Sequence, residues 1–224
     1  MAITDKIVIR QLKKPVKPEH IWMTPEQLFA EVRRFVALAN EFPLPKEEIE
    51  RRLRTHPIGK EMLPAALFTY GLKYKFPSPL YEWELLPYEI PTINREADFY
   101  VRVFRDKDFI YKPVQLKTVV PLEKPGNGLQ DVINGLKNNY LSKGAKSDLV
   151  VAIYVDRTLT INFRELEIPD PADLGIEQLW FFGMASPNTG FMAGGSPGNL
   201  HRYEFPIPDS TWGDSLVTTS PSRP

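Results

Sequence analysis

The chain has 224 residues, of which 42% are hydrophobic and 12% aromatic, so it can bury one sizeable core. Lysine plus arginine and aspartate plus glutamate each total 28, which excludes the global basic field that holds many nucleic-acid binders to phosphate. There is no cysteine, which excludes disulfides and thiolate chemistry. No apolar run reaches the roughly 20 residues of a membrane span, and we predict a soluble, cytoplasmic protein with no membrane partner.

Helical patterns dominate the first part of the chain. The stretch TPEQLFAEVRRFVALANEF, residues 24–42, starts with Thr24 as N-cap and Gln27 as the second member of a capping box, and its apolar residues form one stripe. A short charged helix is predicted within 43–57, and another over 59–72, where Pro64 fits only in the first turn. We interpret residues 1–55 as an N-terminal helical section.

Strand patterns follow, interrupted by one helix. An edge strand is predicted around 80–86, and period-two alternation predicts strands over 97–103 and 109–120. Residues 129–140 have helical spacing, and the apolar run DLVVAIYVD that comes next is typical of a strand covered on both faces. The order helix, three strands, helix, strand predicts an α/β fold with a crossover connection, which we place in a core over 56–165.

The remaining residues, 166–224, are rich in Pro, Gly, Ser and Asn and are interpreted as a C-terminal extension. Within it, LWFFGMA is predicted to be the last strand of the chain. The stretch FFGMASPNTGFMAGGSPGN has no GxxxxGK[ST] pattern, so we interpret it as a loop that does not bind phosphate.

The predicted hairpin between the second and third strands carries a polar cluster. A two-residue turn at 106–107 would place Asp98 opposite Gln115 and Glu96 opposite Lys117, with all four on one side of the sheet. Carboxylate and amide oxygens suit a hard cation such as Mg²⁺ or Mn²⁺, and a nearby lysine can orient a nucleophile or neutralise charge on a phosphoryl group. The alternative is a cross-strand ion pair between Glu96 and Lys117 on a solvated face.

The motifs READFYV and VQLK, in this order of elements, resemble the PD-(D/E)xK nuclease superfamily, which has the restriction-endonuclease-like fold with an α-β-β-β-α-β core. The resemblance covers roughly residues 56–163. Asp98 takes the position of the motif aspartate, Gln115 the acidic-or-glutamine position and Lys117 the lysine. The chain departs from the motif in lacking the PD dipeptide, because Ala97 precedes the aspartate.

The resemblance implies a metal site and a set of roles for these residues. Asp98, Gln115 and the backbone carbonyl of Leu116 would hold Mg²⁺ or Mn²⁺, Glu96 or Glu61 would assist, and the motif lysine would position the attacking water.

Further candidates lie outside the motif itself. Many members supply a glutamate from the first core helix; besides the residue at position 61, Glu31 and Glu84 compete for that role. Tyr100, Arg102 and Lys137 are candidates for contact with the substrate.

The function that follows from the resemblance is a Mg²⁺-dependent endonuclease that hydrolyses phosphodiester bonds in DNA, in restriction, repair or a mobile element. A homodimer is one expected assembly, since many nucleases of this fold cut both strands as dimers. Two alternatives stay open: a catalytically silent nuclease-fold module for binding or assembly, and an unrelated α/β protein whose hairpin charges are structural.

Overall fold

The chain is represented by a computed structural model that describes residues 22–40, 58–77, 81–86, 97–105, 108–119, 128–140, 148–155, 161–186, 188–196 and 199–208. These residues form a mixed α/β architecture with one seven-stranded sheet. The helix predicted within 43–57, the hairpin turn at 106–107 and Glu96 lie outside the described residues.

Three α-helices of the described part of the chain accompany the sheet. Helix α1 is Pro25–Asn40, α2 is Leu63–Lys75 after one turn of π-helix at Ile58–Met62, and α3 is Leu129–Tyr140. The predicted capping box of α1 is confirmed, because the Thr24 N–H donates to Gln27 Oε1 at 2.8 Å and the Gln27 N–H donates to Thr24 Oγ1 at 3.2 Å. Within the described residues, no helix combines the length and the apolar character that crossing a membrane requires.

Neighbouring strands of the sheet follow one another in chain order. The pairs β3/β4 and β4/β5 are parallel and the other neighbours are antiparallel. The strands are β1 Tyr81–Leu86, β2 Phe99–Arg105, β3 Asp108–Val119, β4 Val150–Val155, β5 Gln178–Ser186, β6 Thr189–Ser196 and β7 Asn199–Pro206.

The predicted register of the β2/β3 hairpin is confirmed. Phe99 pairs with Val114 and Arg105 pairs with Asp108, which is the alignment that a two-residue turn requires. The predicted edge strand is β1, and the predicted crossover is the connection from β3 through α3 to the parallel strand β4.

Each face of the sheet has its own hydrophobic core. Val114, Val150 and Phe182 pack in the core that contains residues of α1 and α2, whereas Val151 and Phe181 pack in the core that contains residues of α3. Successive side chains of a strand point to opposite faces of the sheet. Whether a residue of β3, β4 or β5 has an even or an odd number therefore decides which helix layer its side chain meets.

The interpretation of residues 181–199 as a loop after the last strand is wrong. The described residues of this stretch complete β5, form β6 and begin β7 at Asn199. The glycines that suggested a loop lie directly opposite large rings: Gly194 pairs with Trp180 and Gly190 with Phe205, and a Cβ at either glycine would collide with that ring. The space that a side chain would occupy at each of these glycines is therefore filled by an aromatic ring from the neighbouring strand.

Candidate active site

The predicted polar cluster lies where β2 and β3 separate. Strand β2 begins at Phe99, which pairs with Val114, whereas β3 continues to Val119. Residues 115–119 pair with β4 and, among the described strands, with no other. Strands β2 and β3 therefore separate after the pair Phe99/Val114, and we call the region formed by Asp98 and residues 115–117 the fork.

Two hydrogen bonds hold Asp98 in the fork. Its backbone N–H donates to the carbonyl of Val114 at 2.9 Å, and its Oδ2 accepts the N–H of Leu116 at 2.6 Å. The second bond is charge-assisted and short. The N–H and C=O of one strand residue point to the same edge of the strand, so the carbonyl of Leu116 also lies on the edge that faces Asp98.

Gln115 and Lys117 occupy the α3 face of the same stretch. They alternate with Val114 and Leu116, which pack against the α1/α2 core, and their neighbours in β4 are Val151 and Ile153. Both are half-buried. The Oε1 atom of Gln115 is buried without a hydrogen-bond donor, and Lys117 forms no hydrogen bond or ion pair with any residue that the structure describes. Burying a polar or charged group without a partner lowers the stability of the folded state unless a ligand binds that group.

Residues 98, 115 and 116 carry oxygen atoms of the chemical type that Mg²⁺ and Mn²⁺ prefer. They are the carboxylate of Asp98, the amide oxygen of Gln115, which has no described partner, and the carbonyl of Leu116. In the described part of the chain, no three His, Cys, Asp or Glu side chains form a group that could hold a metal. From the described residues, a cation here would take one carboxylate together with neutral oxygens.

The four glutamate candidates have different surroundings. Glu61 lies in the π-helical turn before α2, whose buried residues pack on the face opposite Gln115, and it is 4.0 Å from Lys60 Nζ. Glu31 is exposed on α1. Glu84 is paired with an arginine of β2, and Glu96 is outside the described residues. No described hydrogen bond or ion pair links Glu61, Glu31 or Glu84 to the fork.

The arginine that pairs with Glu84 is Arg102, one of the predicted substrate contacts. Its Nε is 2.6 Å from Glu84 Oε2, and its guanidinium lies 4.2 Å from the ring centroid of Trp22 and 4.6 Å from that of Phe109. Arg102 is thus held between two aromatic rings and a carboxylate. Sequence analysis did not single out Trp22, whose only signal is an aromatic residue just before the capping box.

The other two predicted substrate contacts are also engaged. Tyr100 is completely buried and packs with Leu86 and Ala97, so its ring has no surface to offer a substrate in this conformation. Lys137 on α3 lies 3.7 Å from a carboxylate oxygen of Glu167, an exposed residue. Of the predicted site residues, the structure therefore brings together Asp98 and the stretch 115–117.

No protein-family model matches the chain, and no significant match to it was found among curated proteins or solved structures.

Proposed function

We propose that this protein is a metal-dependent nuclease of the PD-(D/E)xK type, which hydrolyses phosphodiester bonds in DNA. The order of elements supports the proposal: α2, the meander β1–β2–β3, α3 and the parallel strand β4 follow one another as in the α-β-β-β-α-β core that the resemblance implies. Helices on both faces and a parallel β3/β4 pair accompany that order.

The fork is the single observation that carries the proposal. A motif of this type needs its aspartate beside the strand that carries the other two polar residues. The hydrogen bond from the Leu116 N–H to Asp98 Oδ2 places it there. The buried Gln115 Oε1 and the Lys117 ammonium have no partner among the described residues, and a metal cation together with a substrate phosphate would supply one to each.

Each residue has a defined task in this scheme. Asp98, Gln115 and the Leu116 carbonyl would hold Mg²⁺ or Mn²⁺, which would polarise the scissile phosphodiester as a Lewis acid. Lys117 neutralises charge that develops on the phosphoryl group or orients the attacking water. Water adds to phosphorus and the bond to one ester oxygen breaks, so that a phosphomonoester and an alcohol are formed.

The assay uses single-stranded, duplex and supercoiled DNA with Mg²⁺ or Mn²⁺, and compares the native protein with Lys117→Met. The matched control is Lys73→Met, because Lys73 lies on α2 and pairs with Glu26 away from the fork. We expect cleavage that a chelator and Lys117→Met abolish and Lys73→Met preserves. Cleavage that survives Lys117→Met would contradict the proposed site.

The second candidate function is a silent nuclease-fold module that binds DNA or an assembly partner. A neutral glutamine at position 115 and the lack of a described acidic cluster favour it. A gel-shift assay separates the two, since DNA binding without cleavage on any substrate, in metal and with the protein folded, supports the silent module.

A further inference from the structure

A group of aromatic side chains extends from the fork along the β2/β3 hairpin. Residues at every second position of a strand share one face of the sheet, so Phe109 and Tyr111 lie on the same face as Lys117. Phe104 pairs with Phe109 across the hairpin and shares that face. We call the rings of Phe104, Phe109 and Tyr111 the aromatic surface. The candidate active site and the aromatic surface are thus parts of one continuous face of the sheet.

The rings of the aromatic surface lie close together and are in part open to solvent. The ring centroids of Phe104 and Phe109 are 4.9 Å apart, and those of Phe109 and Tyr111 are 6.0 Å apart. Phe109 is 36% exposed, and the other two side chains are half-buried. Among the described residues, the core that α3 joins includes none of β1 or β2, so the packing of α3 does not extend over this end of the face. Contiguous apolar side chains at a surface mark a binding site.

Neighbouring side chains hold the aromatic surface in position. The guanidinium of Arg102 lies 4.6 Å from the ring centroid of Phe109 and is paired with Glu84. Trp22 meets Tyr111 edge to face, with 5.7 Å between ring centroids and 61° between ring planes. Because Glu84 already balances the charge of Arg102, the rings and not this arginine are available to a ligand. A surface that is formed before binding loses little conformational freedom when a ligand arrives.

The chemistry of the ligand follows from what lies at the two ends of this face. The ammonium group of Lys117 has no partner among the described residues, and Lys117 is six residues from Tyr111 on the same strand. At about 3.3 Å per residue, the two positions are about 20 Å apart. A ligand that contacts both needs an anionic group at one end and flat rings at the other. A single strand of nucleic acid has both, because its backbone carries phosphates and its unpaired bases expose their faces.

We propose that the aromatic surface stacks the unpaired bases of a DNA single strand whose backbone reaches the fork at Lys117. The inference rests on the proposed nucleic-acid function of the fork, and it specifies the substrate as single-stranded DNA or a duplex with a single-stranded tail. A stacked strand rises about 3.4 Å per nucleotide, so about six nucleotides connect the phosphate at Lys117 with the base at Tyr111.

Fluorescence anisotropy tests the proposal with the full-length protein and labelled strands of twelve nucleotides, in the presence of a chelator so that no strand is cleaved. One probe is oligothymidylate, and the other has the same phosphates but abasic sugars. Phe109→Leu removes the aromatic ring and keeps an apolar side chain, whereas Phe109→Trp keeps a ring. The matched control is Phe76→Leu, because Phe76 is 45% exposed at the end of α2, on the other side of the sheet.

We expect the native protein to bind oligothymidylate more tightly than the abasic strand. Phe109→Leu should weaken oligothymidylate by about 5-fold, as for one lost base stack, and leave the abasic strand unchanged. Phe109→Trp should keep the native affinity, and Phe76→Leu should change neither probe. Lys117→Met should weaken both probes, since it removes a phosphate contact. A blunt duplex of the same length should not respond to Phe109→Leu, because its base faces are stacked inside the duplex.

Equal affinity of the native protein for the two strands, or an equal effect of Phe109→Leu on both, would overturn the proposal. The cleavage assay tests the nuclease independently. Base-dependent binding through Phe109 without cleavage would support the aromatic surface and favour the silent module. Cleavage that depends on Lys117, with single-strand binding that does not respond to Phe109→Leu, would support the nuclease and overturn the aromatic surface.

Discussion

The carboxylate of Asp98 accepts the backbone N–H of Leu116 at 2.6 Å, and this bond joins the two halves of the candidate motif. At this point the β2/β3 ladder has ended, so a side chain takes over the pairing that a strand would otherwise provide. Asp98 therefore has a structural task in addition to the one proposed for it with a metal.

The structural task predicts a difference between two substitutions. Asp98→Ala should lower the free energy of unfolding by about 1–3 kcal/mol, because it leaves the Leu116 N–H without its acceptor, and Asp98→Asn should lower it less, because the amide oxygen still accepts. Urea denaturation measures both. Asp173→Ala, at an exposed aspartate, is the control and should stay within about 0.5 kcal/mol of the native protein. Equal losses for Ala and Asn at position 98 would contradict this prediction.

The metal proposal predicts that Mn²⁺ raises the melting temperature of the native protein, because a cation that binds only the folded state stabilises it. The rise should be lost in Asp98→Asn, which keeps the hydrogen bond but removes the charge. Gln115→Glu should enlarge the rise, since it supplies a second negative ligand. A Mn²⁺ effect that is the same in all three proteins would place the cation elsewhere.

Burial raises the pKa of Tyr203 above its usual range. Its hydroxyl lies 3.1 Å from the carbonyl oxygen of Gly71 and 3.1 Å from the sulfur of Met192. The folded state thus binds this proton more tightly than the unfolded state does. The stability that depends on Tyr203 is complete below a pH of about 10, the ordinary tyrosine pKa, and is lost as the pH rises beyond it.

Melting temperatures measured at increasing pH test this effect against Tyr203→Phe. We expect the native protein to lose more stability than the variant above pH 10, because only the native protein has the proton to release at this position. Parallel curves for the two proteins would show that another group controls alkaline unfolding.

The contacts of Arg102 predict coupling with Glu84. Arg102→Gln and Glu84→Gln should each destabilise the protein, and the double variant should lose less than the sum, by about 0.5–3 kcal/mol. The side chains are 18% and 21% exposed, so solvent screens the pair only in part. Strict additivity would mean that the two side chains act independently.

Local patterns were enough to predict much of the fold. Period-two alternation indicated β2 and β3, and the capping box fixed the start of α1. Strand β6 was missed because the reason for its glycines lies on another strand: Gly194 leaves room for the ring of Trp180, and that ring is opposite only once β5 and β6 have paired.

The candidate site was predictable to a similar degree and for a similar reason. The spacing of Asp98, Gln115 and Lys117 followed from the length of one hairpin turn, which is a local property. The partners of Arg102 come from β1 and from Trp22, and finding them requires the register between β1 and β2 and the path of the chain before α1. Sequence spacing alone contains neither.

The outer strands of the described sheet also bear on self-association. β7 ends at Pro206 and carries Arg202 and Glu204 as exposed charges, while Met23 pairs with Leu85 along the outer side of β1. Proline and charged side chains on one margin, and a covering segment on the other, oppose the addition of a strand from another molecule. These features oppose growth of the sheet into extended multi-chain sheets, so a second copy of the chain would meet the first more readily through helices or loops than through strand pairing.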